Sequence, residues 1–97
     1  MPFKLRLSPG GRQSVDRYLK RFEVAEDQLE ALAQIKQALK ALAANPRLGV
    51  TPRGIVGVPT YRFTIRIRGV GYYVRATFNY SQDEKAIVIT RVEQQLL

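Results

Sequence analysis

The chain has 97 residues, 45% hydrophobic and 25% charged, which bounds it to a single domain, 1–97, large enough to bury one core without staples. It contains no cysteine and no histidine, so disulfides, thiolate nucleophiles, imidazole acid–base catalysis and the usual zinc sites are excluded. The net charge is +8, and no apolar run approaches a signal-peptide core or the roughly 20 residues of a membrane span, so a cytoplasmic protein with no metal, no cofactor and no membrane partner is expected.

Phe3, Leu5 and Leu7 alternate with Lys4 and Arg6, which predicts a short opening strand with one apolar face. Ser8 offers an N-cap and Pro9 suits the first helical position. Val15, Tyr18, Leu19 and Phe22 then share one stripe, so a first amphipathic helix is expected from Pro9 to Phe22, with Gly10 and Gly11 weakening its first turn. Glu26 and Asp27 suit the positive start of a second helix, with Leu29, Leu32, Ile35, Leu39 and Leu42 as its apolar stripe. It ends at Asn45-Pro46, because proline disfavours helix in the residue before it. An antiparallel helical hairpin is expected, its alanine-rich flank open to a partner helix. Residues 45–59 hold three prolines and three glycines and read as a loop carrying Arg47 and Arg53. Its glycines lack the offsets of a phosphate-cradling loop.

From Tyr61 to Tyr80 the sequence YRFTIRIRGVGYYVRATFNY reads as a β-hairpin. Tyr61, Phe63, Ile65 and Ile67 alternate with Arg62, Thr64, Arg66 and Arg68, and Tyr72, Val74, Ala76, Phe78 and Tyr80 alternate with Tyr73, Arg75, Thr77 and Asn79. Parity restricts the turn, because residues opposite one another share a face. A two-residue turn at Gly69-Val70 sets Ile65 against Val74, Tyr61 against Phe78 and Arg66 against Tyr73. A four-residue loop also keeps the faces apart but sets Arg66 against Arg75, a like-charge pair, so the two-residue turn is preferred.

Ser81 to Lys85 reads as a turn, and Ala86 to Glu93 as the last strand. One parity sets Ile89 against Phe78 and Ile87 against Tyr80, with Arg91 at the edge of the apolar face. The other buries Val88 and Val92 and brings Arg91 among the arginines. Both stay open. The expected fold is α+β, in the order β-α-α-β-β-β, with a two-helix hairpin packed on a small twisted antiparallel sheet.

The charge is concentrated in the middle of the chain. Residues 1–30 hold six basic and five acidic side chains, residues 83–97 hold two and three, and residues 31–82 hold eight and none. Such a stretch suits a polyanionic partner. Arg47, Arg53, Arg62, Arg66, Arg68, Arg75 and Arg91 are the candidate nucleic-acid-binding residues. The plainer reading is a basic surface that merely faces water.

With LSP leading into the first helix, NPRLG after the second, YRFTIRIRGVGYYV in the hairpin and IVITRV in the last strand, the chain resembles the RelE/ParE superfamily of bacterial toxins over nearly its whole length. The resemblance implies a small acidic antitoxin as partner. It also implies one of two targets: messenger RNA cleaved at the ribosome, or DNA gyrase inhibited without cleavage. A third alternative is a basic binding module of the same fold that has lost toxicity. Two departures are visible. The family often carries a Tyr-Arg pair after the glycine turn, whereas Tyr73 is followed here by Val74 and the arginine comes at Arg75. Cleaving members commonly end with His-Arg or Lys-Arg and a tyrosine, where this chain has Gln94, Gln95 and then Leu96-Leu97.

Messenger-RNA cleavage by 2′-hydroxyl attack needs charge stabilisation at the phosphate, a base and an acid. Arg62, Arg66 and Arg75 suit the first task through planar paired donors. For proton transfer the sequence offers Tyr73, Glu93 or a lysine. The candidate catalytic set is therefore Arg62, Arg66, Arg75 and Tyr73.

Overall fold

A computed structural model describes residues 3–49, 59–81 and 83–95. The elements are β1 (Lys4–Leu7), α1 (Pro9–Leu19), α2 (Ala25–Ala44), a single 3-10 turn (Pro46–Leu48), β2 (Thr60–Ile67), β3 (Val70–Ser81) and β4 (Ala86–Gln94). The α+β class and the β-α-α-β-β-β order are as expected. The sheet order is β1-β4-β3-β2. Neighbours among β2, β3 and β4 pair antiparallel, but β1 lies parallel to β4, with Leu5 beside Ile87 and Leu7 beside Ile89. The sheet is thus mixed rather than antiparallel: the two helices carry the chain to the far edge, and the following meander returns in the direction of β1.

Both helices pack on one sheet face and the other face is open. The core joins Val15, Tyr18 and Phe22 to Ile35, Leu39 and Leu42 and to Ile65, Val74, Phe78, Ile87 and Ile89 of the sheet. Burying a side chain of this size contributes ~1.5–3 kcal/mol. Ser8 caps α1 by accepting from the Gly11 N–H at 3.0 Å. Gly11 has a packing reason: a Cβ there would lie 2.1 Å from the Ile89 carbonyl oxygen, so only glycine lets α1 rest against β4. The helix ends at Leu19, earlier than its stripe predicts, yet Phe22 remains buried. In α2 the buried positions are Ala31, Ile35, Leu39, Leu42 and Ala43, whereas Leu29 is 68% exposed. Leu29 belongs to the solvent side, because the core stripe passes through Ala31 at a four-residue spacing from Ile35.

Two register findings position the open face. The β2–β3 turn is Arg68-Gly69, both at positive φ (51° and 79°), with Ile67 opposite Val70. This is the turn geometry whose twist matches the strands, and Arg68 Nε donates to both oxygens of Asp27 at the start of α2. The preferred Gly69-Val70 turn is therefore displaced by one residue. Parity survives, but Arg66 opposes Gly71, Tyr73 opposes Thr64, Tyr61 opposes Ala76, and Arg62 opposes Arg75.

In β4 both parities occur in one strand. Ile87 faces Tyr80 and Ile89 faces Phe78, but the pairing then shifts, so that Arg91 faces Thr77, Val92 faces Ala76 and Glu93 faces Arg75. Thr90 is the extra residue of a β-bulge, and its hydroxyl donates to the Thr77 carbonyl at 3.2 Å. Val92 is thereby buried. Its N–H donates to Ser14 Oγ of α1 at 2.8 Å.

Candidate nucleic-acid interface

Arg62, Arg66, Tyr73, Arg75 and Arg91 all lie on the open face. Arg62 and Arg75 are direct cross-strand neighbours. That like-charge contact is relieved from the next strand: Arg75 Nη2 lies 2.5 Å from Glu93 Oε1, and Arg91 Nε lies 3.3 Å from Glu93 Oε2. Glu93 is where it is because of the Thr90 bulge. Although residues 31–82 hold no carboxylate, Glu93 reaches Arg75 and Asp27 reaches Arg68, and Glu93 also reaches Arg91. Among the described residues Arg62 and Arg66 form no ion pair.

Arg75 Nε is buried and has no hydrogen-bond partner among the described residues. An unsatisfied buried donor costs about 1–3 kcal/mol, which works against the ion pair of the same guanidinium with Glu93. Tyr73 is 50% exposed. It lies diagonally between Arg62 and Arg66 rather than directly opposite Arg66. Arg66 is fixed through its backbone, whose N–H donates to Gln34 Oε1 at 2.8 Å and whose carbonyl accepts from Gln34 Nε2 at 2.7 Å. Those groups lie on the outer edge of β2, so Gln34 also covers an edge that would otherwise be open to pairing.

The remaining candidates are dispersed. Arg68 sits at the hairpin tip in its pair with Asp27. Arg47 is exposed in the 3-10 turn at the opposite end of the sheet. There Tyr80 Oη donates to the Pro46 carbonyl at 2.9 Å, and a Cβ on Gly49 would lie 2.2 Å from the Phe78 ring. Arg53 lies outside the described residues.

Gln94 is on the helix side, its Oε1 accepting from Tyr18 Oη at 3.2 Å and from Arg21 Nη1 at 2.8 Å. Gln95 donates its backbone N–H to the Tyr73 carbonyl. Arg17 and Arg21 stand near these groups and were not among the sequence candidates. Their four-residue spacing across the predicted first helix was the available signal. A second depression, of about 320 Å³, separates α2 from the β2 edge and is lined by Gln37, Ala38, Ala41, Tyr61 and Phe63 among others. Among the described residues no helix is long and apolar enough to cross a membrane.

No family model and no curated protein sequence matches the chain. Solved structures do. A toxin–antitoxin complex, RelBE2 from Mycobacterium tuberculosis, contains a chain matched with TM-score 0.64 at 20% identity, over 98% of this chain and 100% of that one. The free toxin RelE of E. coli, in a double arginine-to-alanine variant, matches with TM-score 0.54 at 14% identity, over 95% of this chain and 82% of that one. The chain has the RelE toxin fold. Within that fold α1 and α2 cover one side of the sheet, and the basic side chains of β2, β3 and β4 occupy the other.

Proposed function

We propose that the chain is the toxin of a type II toxin–antitoxin pair and acts on messenger RNA at the ribosome through the open face of its sheet. The observation that carries this reading is the juxtaposition of Arg62 and Arg75 on a face that also presents Arg66, Tyr73 and Arg91. The fold shared with RelE toxins supports it.

A phosphodiester lying between Arg62 and Arg75 meets planar donors from both strands. Half-exposed Tyr73 offers a ring on which an adjacent base stacks. In cleavage the 2′-oxygen attacks phosphorus and loses its proton while the 5′-oxygen leaves and gains one. Arg62, Arg66 and Arg75 stabilise the charge growing on the non-bridging oxygens, and such a clamp is worth several kcal/mol. Tyr73 and Glu93 are the groups on this face that can exchange a proton. Glu93 is held by two guanidinium groups, which leaves Tyr73 as the better placed of the two. Arg47 and Arg68 extend the basic surface toward the rest of the target. The partner that silences the toxin is a small acidic protein. The α2–β2 groove, with Ala38 and Ala41 beside Tyr61 and Phe63 and with Lys36 and Lys40 on the same helix, is where it docks.

Induction in growing bacterial cells tests the proposal. Abrupt translation arrest with cut messages is expected, and Arg62→Ala combined with Arg66→Ala abolishes the arrest while the circular dichroism spectrum is retained. DNA damage with intact messages, or full toxicity of the double variant, overturns it.

A further inference from the structure

Where β4 runs past its pairing with β1, a second basic feature forms. β1 pairs only with Ala86 to Ile89, so the outer side of the later β4 residues meets α1 instead, through the Ser14–Val92 hydrogen bond. Between them lies a recess of about 150 Å³ whose lining includes Arg17, Tyr18, Arg21, Arg91, Glu93 and Gln94. Three guanidinium groups border it against one carboxylate, and that carboxylate is shared with Arg75.

The recess is pre-arranged rather than merely charged. Arg21 stacks on the Tyr18 ring at 3.9 Å, its Nε donates to the Tyr18 carbonyl at 3.2 Å, and its Nη1 donates to Gln94 Oε1 at 2.8 Å. Its plane is thus fixed before any ligand arrives, which removes most of the ordering cost of binding. The Nη2 group has no such bond among the described residues. Arg17, one helical turn earlier, is exposed and forms no ion pair among the described residues. Arg91 belongs both to this recess and to the open face, and Glu93 links it to Arg75.

We infer that this recess is a second phosphate site, which takes a backbone phosphate of a single-stranded RNA whose neighbouring phosphates lie on the Arg62–Arg75 face. Arg17 and Arg21 supply the donors, and Arg91 bridges the two sites by turning from Glu93 to the strand. The inference rests on the proposed RNA-directed function and extends it to a surface that wraps around β4 onto α1.

The test is binding of a fluorescently labelled single-stranded RNA of about twelve nucleotides to the full chain by anisotropy across a series of KCl concentrations. One phosphate contact contributes ~0.7 to the slope of log K against log[salt] for a single strand. Arg17→Gln is therefore expected to lower the slope by about that amount and the affinity about fivefold at 0.1 M salt, with Arg17→Lys largely restoring both. Lys85→Gln, an equal charge loss at the exposed β3–β4 turn, is expected to leave the slope unchanged. Because Arg17 supports no packing, these variants retain the wild-type thermal transition. Equal slopes for Arg17→Gln and wild type, or equal losses for Arg17→Gln and Lys85→Gln, overturn the inference, as does a wild type that binds no RNA. If Arg17→Gln binds normally while induced protein still arrests translation, the recess falls and the proposed function stands. If binding depends on Arg17 but translation is unaffected, the recess stands and the function falls.

Discussion

At the scale of single residues, two groups join stability to the surface chemistry. Tyr18 is 3% exposed, and burial raises its phenol above the ordinary tyrosine value, against the lowering effect of the Arg21 guanidinium. The folded state therefore holds this proton more tightly than the unfolded chain. Its contribution is fully present below about pH 10 and is lost as pH rises through the higher folded value. Tyr18→Phe is expected to lose stability less steeply than wild type above about pH 10, measured by urea unfolding at a series of pH values. Glu93 has the opposite character, since it holds Arg75 and Arg91 in place and also neutralises them. Glu93→Gln is expected to cost ~1 kcal/mol in urea unfolding. It also strengthens RNA binding in the anisotropy assay by freeing two guanidinium groups for phosphate. Unchanged or weaker binding by this variant would remove the open face from the RNA site.

At the scale of elements, the Thr90 bulge decides what the face contains. Were Thr90 held in a regular ladder, the alternation of Ile87 and Ile89 would turn Val92 to solvent and Arg91 and Glu93 toward the helices; the bulge takes Thr90 out of the alternation and restores their faces. Deleting Thr90 is therefore expected to leave Ile89, Arg91, Val92 and Glu93 alternating regularly on their present faces against Phe78, Thr77, Ala76 and Arg75, at the cost of the Thr90–Thr77 hydrogen bond, about 0.5–1.5 kcal/mol. A cooperative thermal transition with little loss of RNA affinity is the expected result. A deletion variant that unfolds or no longer binds RNA would mean that the bulge does more for the site than keep Val92 and Glu93 on their faces. The same element explains why the last-strand register stayed open in the sequence. Ile87 and Ile89 obey one parity and Val92 the other, so no single alternation fits, and the local sequence carries no mark of the extra residue. The hairpin register was missed for a related reason. Arg68 is an unremarkable residue for a position at positive φ, and its pairing with Asp27 spans 41 positions.

At the scale of the whole molecule, sixteen basic and eight acidic side chains repel on balance, and four ion pairs among the described residues relieve only part of that repulsion. Screening by salt should therefore stabilise the protein. Tm is expected to rise between about 0.02 and 0.3 M KCl, over the same range in which RNA affinity falls. A Tm that decreased with salt would mean that the ion pairs outweigh the net charge.

By itself the sequence determined the elements, their order and which side chains of β2 and β3 share a sheet face, because those follow from periodicities of 3.6 and 2. It also determined that the basic charge clusters on β2 and β3. Only the tertiary structure decided that Arg62 rather than Arg66 faces Arg75, that Glu93 answers both Arg75 and Arg91, and that α1 brings Arg17 and Arg21 beside Arg91. Each of these depends on contacts between residues far apart in the chain, made by a turn displaced by one residue, a bulge, and a parallel strand pairing. Local alternation is blind to all three.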